Sequence, residues 1–485
     1  MPRRPRRARV HALALATALA ALGAGAGTAL ALPSGWDPPE RLSAPGVVAR
    51  DPASGASGRG DLAVAWRARL PGGRQVVQVV LRRPLRTTWP APFALGAAVA
   101  RVERPRIAFA ADGRLLVAWV DRSASGVARL RAAIVASSGT RARLATLATV
   151  RRGRTQSDDL AVAWSGGRRP AVAWIAPGPP SVNDPARRLG RAVVVVGTRT
   201  GRFGAPRALD RRPRPPTEGE CASDSGVRLV PTPSSALLAS WDCDDDIRDF
   251  ELSAAQSNAS GAFGPVERTG AIGRAGTGAA LAPAGGGAVI GLWAEDDSDD
   301  LGDHMRRVAR SAAGRWTSGL LPVASGFDDP DSHFALPYSR GEPAIVRSGG
   351  RLLGAWVSPF TSGLEQDVVW AVTGVPGTAT FAPAAPVGPA AAGGATLGGV
   401  GQTATGTQVV VWAQSPGPGL VASLWTAVAT PAAGGFTPAE QALVVTGGLL
   451  GRPAVALDPG GAGAVAWSRG PAGSAAVLAS RLSIP

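Results

Sequence analysis

The sequence predicts an all-β fold, a β-propeller of eight four-stranded blades, and three observations predict it. First, a short apolar run ends in tryptophan eight times, at Trp66, Trp119, Trp174, Trp241, Trp293, Trp356, Trp412 and Trp467, with copies 52 to 67 residues apart. Self-similarity on such a period marks a repeat architecture. Second, after residue 31 there is no helical periodicity. Short alternating runs are punctuated by glycine and proline, which is the pattern of strands and turns. Third, the last repeat stops one strand short, and the start of the chain holds a segment that matches the missing piece. Four strands in a unit of this length suit a propeller blade. Seven blades is the alternative, if the repeat around Trp241 or Trp293 is divergent padding.

Residues 1–10 hold five arginines, and an Ala/Leu-rich run and Ala29-Leu30-Ala31 follow. A charged region, an apolar region and a small-x-small site make a secretory leader. Cleavage is expected after Ala31, leaving residues 32–485 as one exported propeller domain, secreted or held in the cell envelope. No cysteine follows the site, so a lipid anchor is unsupported. The arginine pairs fit twin-arginine export, but the rest of that motif is absent. No later apolar stretch is long enough to span a bilayer.

Residues 35–42 come next, Gly-Trp-Asp-Pro-Pro-Glu-Arg-Leu, and they match the Gly-Phe-x-Pro ending of the other repeats. They are expected to pair into the final blade and close the ring, which leaves only short outer edges. Within a repeat, the first strand is often opened by proline, as at residues 104–110 and 452–457. A turn such as Ala111-Asp112-Gly113 follows, with the residues that hairpin turns need. The second strand is the tryptophan run. In Leu62-Ala63-Val64-Ala65-Trp66 one face is bulky and the other carries only alanine, because side chains alternate along a strand. A bulky face on one blade can then pack on a small face of the next, and the tryptophans are read as structural. Val289-Ile290-Gly291-Leu292-Trp293 breaks this alternation. The third strand is a run such as residues 192–196, and the Gly-x-Phe segments at Gly201 and Gly261 and Gly435-Phe436-Thr437-Pro438 introduce the fourth.

The net charge of +16 falls to +11 without the five leader arginines, and every basic residue is arginine. A basic chain can bind nucleic acid or an acidic polymer. The arginines are scattered, however, and no nucleic-acid motif accompanies them, so a solvated surface is the reading and nucleic acid is not an expected partner. A monomer is expected. The two cysteines, Cys221 and Cys243, flank a predicted hairpin whose turn falls near Thr232. They are expected to face each other across adjacent strands as a disulfide, which an exported chain permits.

Chemistry is expected in the loops on one face, where second strands lead to third strands and blades connect. After Trp241 come Asp242, Asp244 and Asp246. After Trp293 come Asp296, Asp297, Asp299, Asp300 and Asp303, then His304. The next connection adds Asp328, Asp329, Asp331 and His333, with the sole tyrosine, Tyr338, shortly after. The alternating Asp242-x-Asp244-x-Asp246 suits calcium, which takes six to eight oxygen ligands, although Ile247 stands where a calcium loop has glycine. A solvated acidic patch that offsets the arginines is the plain alternative. The metal candidates are therefore Asp242, Asp244, Asp246, Asp296, Asp297, Asp299, Asp300 and Asp303. His304, Asp328, Asp329, Asp331, His333 and Tyr338 are further ligand-face candidates.

Gly-x-Phe or Gly-x-Trp after a third strand, as in Ser257-Asn258-Ala259-Ser260-Gly261-Ala262-Phe263 and Ser311-Ala312-Ala313-Gly314-Arg315-Trp316, resembles the sialidase-like propeller group. That group carries a Ser-x-Asp-x-Gly-x-Thr-Trp turn, and both copies here lack its Asp and Thr. The resemblance implies a secreted propeller and a glycan ligand. Of the group's tyrosine–glutamate pair, the candidates are Tyr338 and Glu342. Sialidases have six blades, and no arginine triad can be picked out from so many arginines. No nucleophile elbow, zinc motif or phosphate loop occurs, and no catalytic residue is assigned. The functional expectation is an exported module that binds a glycan or protein, with its ligand face on blades 4 to 6. A glycoside hydrolase or lyase that uses carboxylates from Asp242 to Asp331 is the enzyme alternative, and a purely structural propeller is the third.

Overall fold

The computed structural model describes residues 35–484, except 85, 140–141, 151–158, 181–187, 210–222, 233–235, 245–249, 274–278, 296–303, 323–342, 361–365, 377–379, 389–393, 415–421, 432–434, 446–450 and 472. The described residues form eight antiparallel sheets, and the chain is an eight-bladed β-propeller. In blades 1 to 7 the strands run from the innermost outward in chain order. Blade 1, for example, is Val48–Ala56, Leu62–Arg69, Gln75–Arg82 and Phe93–Val99. The innermost strand of blade 2 is split into Arg101–Val102 and Arg106–Phe109, and the outermost of blade 6 into Thr380–Phe381 and Ala385–Pro386. Blades 4 and 5, built around Trp241 and Trp293, are full four-stranded sheets, so the count is eight and not seven.

Blade 8 takes Ala454–Leu457, Ala462–Arg469 and Ala476–Ser483 from the end of the chain and its outer strand, Glu40–Arg41, from the start. Glu40 lies opposite Ala479 and Arg41 opposite Leu478, and Trp36 bridges to Leu482. Backbone bonds extend the strap: Ser483 N–H donates to Gly35 O at 2.7 Å, Asp37 N–H to Arg481 O at 3.0 Å and Leu42 N–H to Val477 O at 2.9 Å. Trp36 then packs with Val465, Trp467 and Leu482, and Leu42 with Val477 and Ala479, so the strap contributes to the core as well as the edge.

The alternation read from the tryptophan strands is how the blades pack. Trp119, Leu115 and Val117 of blade 2 lie on Ala63 and Ala65 of blade 1. Trp66 and Val64 of blade 1 lie on Ala466 of blade 8. Trp412 and Val410 of blade 7 lie on Ala355 of blade 6. All eight repeat tryptophans are buried, six of them completely. The exception in blade 5 has a steric answer. Ile290 and Leu292 occupy its small face, and blade 6 meets them with Gly354, where a Cβ would stand 2.5 Å from Leu292 Cδ1. Bulk moved to one blade is removed from its neighbour, as close packing requires.

Arginine also clamps blade to blade on the face of the first-to-second and third-to-fourth strand turns. Arg114 of blade 2 donates to Arg168 O at 3.0 Å and Arg199 O at 2.9 Å in blade 3, and lies over the Trp164 ring at 4.9 Å. Arg310 of blade 5 holds Glu267 of blade 4 through two bonds of 2.6 Å. The fork of donors on arginine suits such bridges better than a lysine ammonium would. Part of the basic excess is therefore structural. The sequence-identified turns at Asn258 and Ser311 close as tight hairpins: Asn258 Oδ1 accepts the N–H groups of Ser260 and Ala262, and Ser311 Oγ accepts that of Arg315.

Candidate functional site

The innermost strands of all eight blades line one central cavity of about 480 Å³, a volume in the range of small-molecule sites. Blade 2 contributes Arg104, Arg106 and Ile107, blade 4 contributes Arg228, Leu229 and Val230, and blade 8 contributes Arg452, Ala454 and Val455. Blade 1 supplies Ala53 and Ser54, and blade 3 supplies residues 160–162. Blades 5, 6 and 7 add Ala280 and Leu281, residues 343–346, and residues 398–400. Four arginines therefore enter one cavity whose described lining includes no carboxylate. All four are half-buried.

Local sequence explains their position. Arg104 and Arg452 each precede a proline that opens an innermost strand, a place where a missing N–H costs no ladder bond. Arg106 follows the first of these prolines, in register with Ala118, and Arg228 is in register with Ser240. Because the second strand runs antiparallel, the start of an innermost strand and the end of the second share a face. The arginines thus lie toward the face on which the tryptophan strands end. Arg104 Nη2 donates to Pro52 O at 3.3 Å in blade 1, and Arg228 Nη1 to Val227 O at 3.0 Å. A guanidinium has five donors in a fixed fork, so such an anchor and a ligand are compatible.

Several carboxylates of these blades bond to protein groups. Asp51, the one non-glycine residue with positive φ (55°) among the described residues, meets Arg67 Nη2 at 2.6 Å. Asp159 Oδ1 accepts Gly226 N–H at 3.2 Å, and Asp224 Oδ2 accepts Ala192 N–H at 2.7 Å. Arg122 pairs with Glu103 and Arg131 with Asp121, each at 2.9 Å.

Of the acidic candidates, Asp242 is 1% exposed on Leu237–Asp244, on the face opposite Trp241. It lies against Gly226, where a Cβ would come within 2.4 Å of its Oδ2. Asp244 ends that strand opposite Ser223, and His304 opens His304–Arg310 opposite Glu295, so both strand ends point to the arginine face. Asp246, Asp296, Asp297, Asp299, Asp300, Asp303, Asp328, Asp329, Asp331, His333, Tyr338 and Glu342 lie outside the described residues. Among the described residues no group of three or more His, Cys, Asp or Glu side chains is placed to hold a metal ion. Cys243 is buried and disulfide-bonded, and its register partner is Asp224, three residues beyond Cys221, because the hairpin turn falls later than the midpoint of the two cysteines. Cys221 itself lies outside the described residues. No helix among the described residues is long and apolar enough to cross a membrane.

No protein-family profile matches the chain, and no characterised protein matches it in sequence. Solved structures are similar to it at low identity and with TM-scores below 0.5. A Dyadobacter fermentans protein of unknown function is 13% identical, over 93% of this chain and all of that one, with a TM-score of 0.43. A Hadza microbial sialidase is 10% identical, over 85% of this chain and 73% of that one, with a TM-score of 0.44. A Trypanosoma rangeli sialidase in complex with sialic acid is 12% identical, over 90% of this chain and 59% of that one, again at 0.44.

The channel arginines are the charged lining residues that sequence reasoning did not single out. Their signal was the Arg-Pro opening of two innermost strands, read there only as a strand start.

Proposed function

We propose that the chain is an exported binding module whose ligand site is the central channel and whose ligand carries a negative charge. One observation carries this reading: arginines from blades 8, 2 and 4 line a single cavity, each with protein partners of its own and five donors in its guanidinium fork. Positive charge in a cleft with low-dielectric walls focuses its field and attracts anions, and guanidinium forks bind carboxylates through charge-assisted bonds. The test is calorimetric titration with acetate, glucuronate and phenylacetate against the uncharged amides of the same acids. At least one carboxylate is expected to bind where its amide does not. Arg106→Ala and Arg228→Ala should each weaken that binding by about tenfold or more, the worth of a hydrogen bond to a charged group. Equal binding of acids and amides, or none of either, would sink the anion reading. Turnover of nitrophenyl glycosides by the purified protein would instead favour the hydrolase alternative.

Calcium is a second, independent proposal, resting on the acidic spacing that begins at Asp242. Asp242 is buried on its strand, so the ligands it requires are Asp244, Asp246 and the aspartates that follow Trp293. Added calcium should raise the melting temperature of the chelated protein, by about 2.7 kcal/mol of stability at a hundred times Kd, and Asp244→Asn with Asp246→Asn should abolish that rise. An unchanged melting curve leaves the acidic run as a solvated patch.

A further inference from the structure

We infer that the turn face of blades 1 to 3 is a docking surface for an acidic polysaccharide, a chain that repeats its negative charge. This surface lies on the face opposite the channel arginines and does not depend on the ligand proposed there. It is formed where the first-to-second and third-to-fourth strand turns meet, and Arg59, Arg114, Arg168, Arg169, Arg199 and Arg202 stand in it. Among the described residues of these turns, the one exposed carboxylate is Asp112, which Arg114 Nε holds at 2.9 Å.

Arginines scattered through residues 59–202 are gathered there by hydrogen bonds from turn to turn. Arg59 Nη1 donates to Asp112 O at 2.9 Å, which joins blade 1 to blade 2. Arg114 gives one nitrogen to Arg168 O and the other to Arg199 O, so a single guanidinium holds both of those backbones beside it. Arg169 continues the line, donating to Gly197 O at 3.1 Å and to Ala259 O of blade 4 at 3.3 Å. Two sets of arginines result. Arg59, Arg114 and Arg169 hold the turns together. Arg168, Arg199 and Arg202 are exposed, and their side chains make no hydrogen bond or ion pair among the described residues.

The chemistry of the surface selects the partner. An ion pair on an exposed guanidinium is worth little by itself, so a small lone anion is not retained. A polymer engages the second and third guanidinium as intramolecular events and releases counterions at each. The exposed large apolar side chains among the described residues are Leu144, Leu320 and Val375, and none lies in these turns. The face therefore offers no apolar anchor for a bilayer and no exposed ring on which a nucleic-acid base could stack. It offers instead the exposed hydroxyl residues Thr198, Thr200 and Ser260 between the guanidinium groups, and these suit the hydroxyls of a sugar chain.

The test is fluorescence anisotropy on the unmodified protein. Labelled oligogalacturonate and dextran sulfate are expected to bind, and fully methyl-esterified oligogalacturonate and plain dextran are not. Affinity should fall about tenfold or more as salt rises from about 50 to about 200 mM, the slope of about three neutralised charges. Arg168→Gln, Arg199→Gln and Arg202→Gln together should weaken binding by a similar factor and leave the melting temperature unchanged, because the clamps use backbone carbonyls that glutamine retains. Arg69→Gln, Arg74→Gln and Arg101→Gln remove the same charge from exposed positions on the opposite face. They should leave binding within about twofold, since exposed charges beyond a Debye length are screened. An equal loss in both triple variants would reduce the effect to net charge and overturn the inference. So would failure of both acidic polymers to bind, or equal binding of the uncharged ones. Tighter binding of a phosphatidylglycerol vesicle or a single-stranded oligonucleotide at the same salt would overturn the choice of partner.

Discussion

A chain lacking residues 35–42 is expected to lose at least about 5 kcal/mol of stability, since removing one buried tryptophan alone costs about 3–5 kcal/mol. That is a large part of the roughly 5–15 kcal/mol that holds a domain folded. Trp36 leaves a hole among Val465, Trp467 and Leu482, and the loss of Leu42 uncovers Val477 and Ala479. The edge of Ala476–Ser483 becomes an unpaired template for other chains. Electrostatics adds to the loss. Burial and the nearby Arg481 charge already hold the Arg82 pKa below its ordinary value, and Asp37 and Glu40 act against that shift. Deleting the strap removes both carboxylates and leaves the two arginines facing each other. Thermal unfolding together with size-exclusion chromatography reads the result, and a deletion variant that melts like the parent as a monomer would refute the closure argument. Trp36→Ala should show about 3–5 kcal/mol of the effect.

Arg310→Ala is expected to destabilise by about 3 kcal/mol, near the lower end for a broken buried pair. Arg310 is 4% exposed in its side chain and Glu267 25%, so the stranded carboxylate retains some water. Glu267→Leu with Arg310→Leu should cost far less than Arg310→Ala, because apolar replacement of both partners removes the buried charges together. The pair also sets a pH dependence. Burial alone would raise the Glu267 pKa. The hydrogen bonds from Arg310 and Trp316, with the guanidinium charge, outweigh it and hold the carboxyl below its ordinary 4.5. A depressed folded pKa means that the unfolded chain binds the proton more readily. The stabilisation is therefore complete above about pH 4.5 and is lost as pH falls through the lower folded value. Unfolding titrations between pH 7 and 3 should show the parent losing stability faster than the Leu/Leu variant below pH 4.5. Parallel curves would remove Glu267 from the account.

The blade architecture was legible because it follows from local rules: a two-residue side-chain period, turn residues, and a tryptophan at one register in every unit. Closure was legible because residues 35–42 repeat the ending that the last unit lacks. The site was not. Arg104, Arg106, Arg228 and Arg452 are separated by up to 348 residues in the sequence and meet only because the ring brings innermost strands together. In a chain whose basic residues are all arginine, composition does not separate them from clamps such as Arg114 and Arg310. Asp242 illustrates the opposite difficulty, since a carboxylate in an acidic run reads as exposed until alternation along its strand places it in the interior. The register of Cys243 with Asp224 depended on a bulge between Ser225 and Arg228, which spacing does not reveal.

The strap brings Gly35 and Ser483 into direct contact through a hydrogen bond of 2.7 Å. A short peptide linker between these positions would turn the outer pair of blade 8 into an ordinary covalent hairpin. The chain can then be opened elsewhere, for instance beside the exposed Gly72 in a turn of blade 1, which has positive φ and no close neighbours. In such a circular permutant the seam moves from blade 8 to blade 1 while the channel keeps its arginines. The ring has a place where it was sewn, and the geometry leaves that place free to be chosen.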